Sequence, residues 1–168
     1  EKKTAMVVGL IMYMMAFLII AILPVKDMTI YISIVFFALG NSAYWTMIYA
    51  MSYDTAIIQQ IKTDEKPDGL YTSLIGLLMK IGNSIGSVVV GVGLQMVGFN
   101  ASLAVQSDAT LQGIRMLYAW APSIILALGV IAAICYPLTK KKYNELVELY
   151  HAKQNGEAYD EESLKKIL

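Results

Sequence analysis

Cysteine, histidine and charge are all scarce in this chain, and each scarcity closes off a class of function. The single cysteine, Cys135, lies in an apolar run and has no partner for an internal disulfide, which favours packing over chemistry. The single histidine, His151, lies near the C-terminal end, where nothing nearby suggests a catalytic or metal role. Charged residues make up 15% of the chain and the net charge is +0, so there is no global field to draw nucleic acid, and that partner is excluded. No nucleophile–base pair, metal-ligand cluster or phosphate loop can be read. The Gly91-Val92-Gly93 run follows no strand and is not a phosphate motif. Nothing favours an enzyme or calls for a cofactor.

Apolar residues fill the space that charge leaves. They make up 57% of the 168 residues, and the mean hydropathy is +0.57, above what a soluble domain of this length carries. Four stretches approach the ~20 apolar residues that a bilayer core requires. They run from about 4 to 23, 28 to 58, 70 to 97 and 111 to 138. Backbone in lipid must satisfy its own hydrogen bonds, so these runs are predicted to be helices of an all-α integral membrane protein. The second is longer than a span needs, so its last turns are expected to emerge into water or line a cavity. Residues 139–168 form a polar tail. Within it Tyr143, Leu146, Val147 and Tyr150 recur at helical spacing and predict a short amphipathic helix; DEESLKKIL suggests another short helical piece.

Lysine placement sets an expected orientation. With the N-terminus inside, Lys2, Lys3, Lys62, Lys66, Lys140, Lys141 and Lys142 lie on the inner side, and only Lys26 and Arg115 fall in outer loops. Seven against two follows the positive-inside bias, so both ends of the segment are expected in the cytoplasm of a cell with this protein in its inner membrane.

Two of the four runs carry polar faces. Lys80 lies in the third, with no other charge between Asp68 and Asp108. An ammonium there costs roughly 2.5–3.5 kcal/mol on insertion scales and marks a functional site by default. Ser73, Gly76, Lys80, Asn83 or Ser84, Ser87 and Gly91 form one small, polar stripe. Gly82, Gly86 and Gly91 supply small-residue spacing that lets another helix approach closely. In the second run Asn41, Trp45, Tyr49 and Ser52 or Tyr53 recur every three to four residues. Aromatic rings beside amides and hydroxyls suit a sugar, and they also suit a plain packing stripe. Asp54 follows near the inner end. Its spacing fits equally a gate residue paired with a loop lysine and a solvated carboxylate.

The segments WTMIYAMSYD, KPDGLYTSLIGLLMKIG, GFN, TLQGIRMLYAWAP and YPLTKKKY resemble the C-terminal portion of the glycoside–pentoside–hexuronide:cation symporters, over essentially all of residues 1–145. The most specific element is Asp54 followed by Gly69 and, eleven residues on, Lys80-Ile81-Gly82. The resemblance implies a major facilitator fold of twelve helices, of which these four are the last four. Asp54 matches the first acidic residue of the family's D-x-x-D-Y segment at the cytoplasmic gate. The second acidic position falls on Ile57, and the family's following Glu falls on Gln60. Lys66-Pro67-Asp68-Gly69 stands for a loop of two arginines, a glutamate and a glycine. Trp45 matches a tryptophan of the melibiose permease branch, and Lys80 matches the lysine beside the sugar and coupling-cation sites. Gly76 stands where that branch has a threonine.

The resemblance implies Na⁺- or H⁺-coupled symport of a sugar or glycoside by alternating access. Lys80, Trp45, Tyr49, Asn41 and Asn83 are then expected at the substrate and cation site. Asp54, Lys62, Lys66 and Asp68 are expected at the gate. The coupling cation would be bound mainly by the N-terminal half of the same polypeptide. Membrane lipid and that half are the implied partners. A non-sugar substrate on the same fold, or a non-transporting four-helix membrane protein, remain alternatives.

Overall fold

The computed structural model describes residues 1–63 and 68–155, and among these it contains five α-helices and no strand. The helices are α1 (Lys2–Ile22), α2 (Asp27–Thr63), α3 (Asp68–Met96), α4 (Asp108–Cys135) and α5 (Lys140–Gln154). The first four are long and apolar enough to cross a membrane. Lys66 lies outside the described residues, as does the DEESLKKIL segment.

Local chemistry fixes the helix ends. Leu23 turns to extended backbone after α1, and Pro24 prevents continuation. The Thr29 hydroxyl then donates to the Pro24 carbonyl at 2.9 Å and tightens the link into α2. Ser107 caps α4 by accepting from the Thr110 N–H, with Asp108 in the first turn. Gly98 takes φ 75° in the turn after α3. Thr139 caps α5, and Asn155 ends it.

α1 is the hub, packed along both α2 and α4. Gly9 and Gly40 face each other across the α1–α2 contact. A Cβ on Gly9 would stand 2.5 Å from the Cβ of Ala43, and one on Gly40 would run into the backbone of Tyr13 and Gly9. Farther along, the Ser33 hydroxyl donates to the Ala16 carbonyl at 2.7 Å in a buried bond. Tyr13, Phe17 and Phe37 form an aromatic cluster here, and Phe17 reaches Tyr118 of α4 with ring centroids 5.3 Å apart.

Arg115 corrects one expectation. It does not lie in an outer loop but in the second turn of α4, where its guanidinium donates to the last carbonyls of α1. Nε reaches Ile20 O at 2.7 Å, and an Nη reaches Ala21 O at 3.2 Å and also Leu23 O. Those carbonyls have no intrahelical partner, and a cation suits that end of the helix dipole.

α3 stands apart. It touches α2 and α4 only locally, and Gly93 is its one buried residue among those described. Leu117 of α4 sits over Gly93, 2.6 Å from where a Cβ would be, and Val97 sits over Gly113 at 2.7 Å. The small-residue spacing of Gly82, Gly86 and Gly91 does not pack a helix of this segment, since nothing lies within 4 Å of a Cβ built on any of them. Close helix approach occurs at Gly9 and Gly40 instead.

α2 is 37 residues long, so it extends about 55 Å, well beyond a ~30 Å hydrocarbon core. Its final turns are not left in water. Ile61 is buried with Leu138 and Leu146, and Ile57, Ile58, Tyr143 and Tyr150 pack around them. The apolar face of α5 therefore rests on α2. Lys153 extends the contact by donating to the Ile61 carbonyl at 2.5 Å.

Gly40→Ala should destabilise the protein by about 1–3 kcal/mol, because backbone blocks the added methyl and no rotamer relieves it. Gly91→Ala, into open space, should leave stability unchanged or raise it. Thermal unfolding in mild detergent compares the two, and equal losses would contradict this packing.

Candidate functional site

A cavity of about 430 Å³ opens between α2 and α3, with α1 behind it. Tyr13 of α1, Asn41, Tyr44, Trp45 and Ile48 of α2, and Ile75, Leu78, Met79, Gly82 and Asn83 of α3 line it. The α2 residues recur at three- and four-residue steps, so the helix turns one face to the cavity. On α3 the same spacing selects Ile75, Leu78, Met79, Gly82 and Asn83.

The chemistry of this wall is mixed. The rings of Tyr44 and Trp45 meet edge-on with centroids 5.6 Å apart, and Tyr49 stacks on Trp45 at 6.3 Å and 21°. These contacts hold the indole in place. The side-chain amides of Asn41 and Asn83 have no hydrogen-bond partner among the described residues. Each amide supplies two donors and an acceptor, and together they leave that capacity open at the cavity. Rings and one amide thus share the α2 wall, and the Asn83 amide lies across from them on α3.

Asn41 and Trp45 from α2 and Asn83 from α3 line this one cavity together. Tyr49 does not line it and acts through Trp45. Lys80 also lies outside the wall: its residue is exposed and its ammonium makes no ion pair among the described residues. At about 100° per residue, Lys80 lies roughly a third of a turn or more around α3 from the centre of the cavity face. Apart from Asn83, the rest of its stripe is absent from the lining too. The Ser84 and Ser87 hydroxyls turn back to the carbonyls of Lys80 and Asn83, each at 2.9 Å.

Tyr13 and Tyr44 were not anticipated. Tyr44 adjoins Trp45, and including a slightly wider arc of the α2 wheel would have found it. Tyr13 reaches the cavity only through the glycine contact between α1 and α2, a long-range fact with no local signal.

Asp54 is buried at 3% exposure, and its carboxylate takes a different partner from the one expected. Lys2 of α1 reaches it at 2.7 Å, and the same ammonium lies 4.2 Å from the centre of the Tyr143 ring of α5. Geometry favours Lys2 because α1 and α2 pack side by side there. The side chains of Lys62 and Asp68, like all of Lys66, lie outside the described residues. Ile57, at a position where the resemblance puts an acid, belongs to the apolar seam with α5, and Gln60 lines a small hollow beside Tyr150 and Lys153. Apolar contact thus occupies the position where the resemblance implies an acid.

A family profile described as MFS/sugar transport protein matches residues 2–140. The chain is 27% identical over 138 residues to an uncharacterised symporter of Synechocystis, covering 79% of this chain and 25% of that protein. It is 26% identical over 147 residues to a glucuronide carrier protein homolog of Escherichia coli, covering 87% and 32%. It is 30% identical over 158 residues to an uncharacterised symporter of Bacillus subtilis, covering 91% and 33%. The chain therefore spans about a quarter to a third of the length of these curated relatives. No solved structure matches it. With four apolar helices, a matched span of residues 2–140 and symporter relatives along most of its length, the chain belongs to the MFS/sugar transport protein family, in its glycoside–pentoside–hexuronide:cation symporter branch.

Proposed function

We propose that this chain is the C-terminal part of a secondary transporter that couples Na⁺ or H⁺ to movement of a sugar or glycoside by alternating access. The observation that carries the reading is the cavity in which Trp45, Tyr44 and the open amide of Asn41 on α2 face the open amide of Asn83 on α3. A sugar ring offers an apolar face to an indole and hydroxyls to amides. The glucuronide carrier homolog among the relatives supports a carbohydrate ligand. Uncoupled binding would need no cation, whereas the symporter relatives support coupling.

Lys80 has a second part in this reading. Its ammonium, exposed on a membrane-spanning helix and without an ion pair among the described residues, needs an anion from elsewhere. Carboxylates of the N-terminal half of the same polypeptide would supply it and bind the coupling cation. Cation binding would then alter the charge that Lys80 meets. The lysine-rich side, with both ends of the segment, faces the cytoplasm of the inner membrane, and the Lys2–Asp54 pair helps to hold that side closed.

Saturating sugar should shield Trp45 from an aqueous quencher in the complete transporter carrying Trp120→Phe; unchanged quenching across a panel of glycosides would remove the sugar reading. Lys80→Ala should leave insertion intact and abolish cation-driven accumulation, and normal accumulation would refute the coupling role. Asp54→Asn should raise accessibility from the lysine-rich side, read by cysteine labelling near Ala56; unaltered labelling would take Asp54 out of the gate.

A further inference from the structure

At the lysine-rich end, a second cavity of about 280 Å³ lies among α1, α2 and the start of α5. Its charged lining is Glu1, Lys2, Lys3, Asp54 and Lys140. Both carboxylates are already engaged. Asp54 holds Lys2 at 2.7 Å, and Glu1 accepts from the Lys140 backbone N–H at 3.2 Å. Among the described residues Lys3 donates only to a neutral group, the Tyr136 carbonyl at 3.1 Å. The ammonium of Lys140 meets no anion among the described residues. Beside the cavity, Lys141 has only a stretched pair with Glu145 at 4.0 Å. Positive charge is therefore left over.

Three of these lysines also stand at an unfavourable place, since Lys140, Lys141 and Lys142 occupy the first turn of α5 after its Thr139 cap. The positive end of a helix dipole disfavours cations and favours an anion. Depth matters as well. The cavity lies where α1 enters and α4 leaves the apolar spans, with buried Leu138 in its wall. That is the level of lipid headgroups, and basic hollows between spans at this level suit anionic headgroups.

We propose that this cavity holds the phosphate of an anionic phospholipid, with Lys3 and Lys140 as its ligands. The phosphate offsets the lysine surplus, and the acyl chains leave along the apolar surfaces of α1 and α4. A bound lipid here would join α1 to α5 beside the Lys2–Asp54 pair. The site does not depend on the sugar reading, because its ligand, place and residues differ.

The test uses the complete protein in phosphatidylcholine nanodiscs doped with phosphatidylglycerol, with retained lipid counted by native mass spectrometry. Phosphatidylglycerol should be retained in preference to phosphatidylcholine. Lys140→Gln, which keeps the backbone N–H bonded to Glu1, should lower that preference about fivefold, and Lys3→Gln with Lys140→Gln about thirtyfold. Lys141→Gln, outside the lining, should have a smaller effect than Lys140→Gln. If the double variant fails to fold, the single Lys140→Gln decides. Equal retention of both lipids, or a preference that survives Lys140→Gln, would overturn the proposal. Displacement of the lipid by inorganic phosphate at matched concentration would assign the site to a free anion and overturn the lipid.

Discussion

Gly9 and Gly40 bring the backbones of α1 and α2 close enough that neither could carry a side chain at the crossing. Much of the remaining geometry follows from that approach. It sets Tyr13 behind the cavity and brings Ser33 to the Ala16 carbonyl. It also lets the Lys2 ammonium lie beside Asp54. Within lipid there is no strong hydrophobic force between helices, so close contact and interhelical hydrogen bonds carry the association. One methylene at either glycine would move the wall of the cavity and the ion pair together, although the two lie at different levels of the membrane.

Three cations near or within the spans meet different fates: two are satisfied among the described residues and one is not. Lys2 takes a buried carboxylate and lies over an aromatic ring. Arg115 uses carbonyls that α1 leaves open, so a guanidinium is accommodated without any acid. Lys80 takes neither route among the described residues. The contrast gives Lys80 its meaning: the fold has means of settling a charge internally, and the described residues do not apply them there.

Helix type and number were legible from the apolar runs, because lipid leaves the backbone few alternatives. The partition of residues around each helix was less so. Asn41, Trp45 and Asn83 were found because helical spacing marks a face. Lys80 and Asn83 shared a stripe on the wheel, yet the cavity takes only the edge of that stripe, and no periodicity tells where a neighbour will pack. Gly82 and Gly86 carried the packing motif while Gly9 and Gly40 made the contact, since spacing within a helix does not identify its partner. Arg115 was counted with the outer charges although it lies inside the run read from about 111 to 138, because a charge so near a span's end gives no local sign of the α1 carbonyls that hold it. Asp54 was recognised, but its partner depended on which helices run side by side.

The seam between α2 and α5 has a different physical character from the ion pair next to it. Ile57, Ile61, Leu138 and Leu146 meet there without charge. Apolar contact is little affected by ionic strength and weakens on cooling. The tail helix would therefore stay seated through osmotic and salt changes that screen exposed charges, and loosen in the cold. A helix fastened in this way answers to temperature more than to the ionic composition of the solution around it.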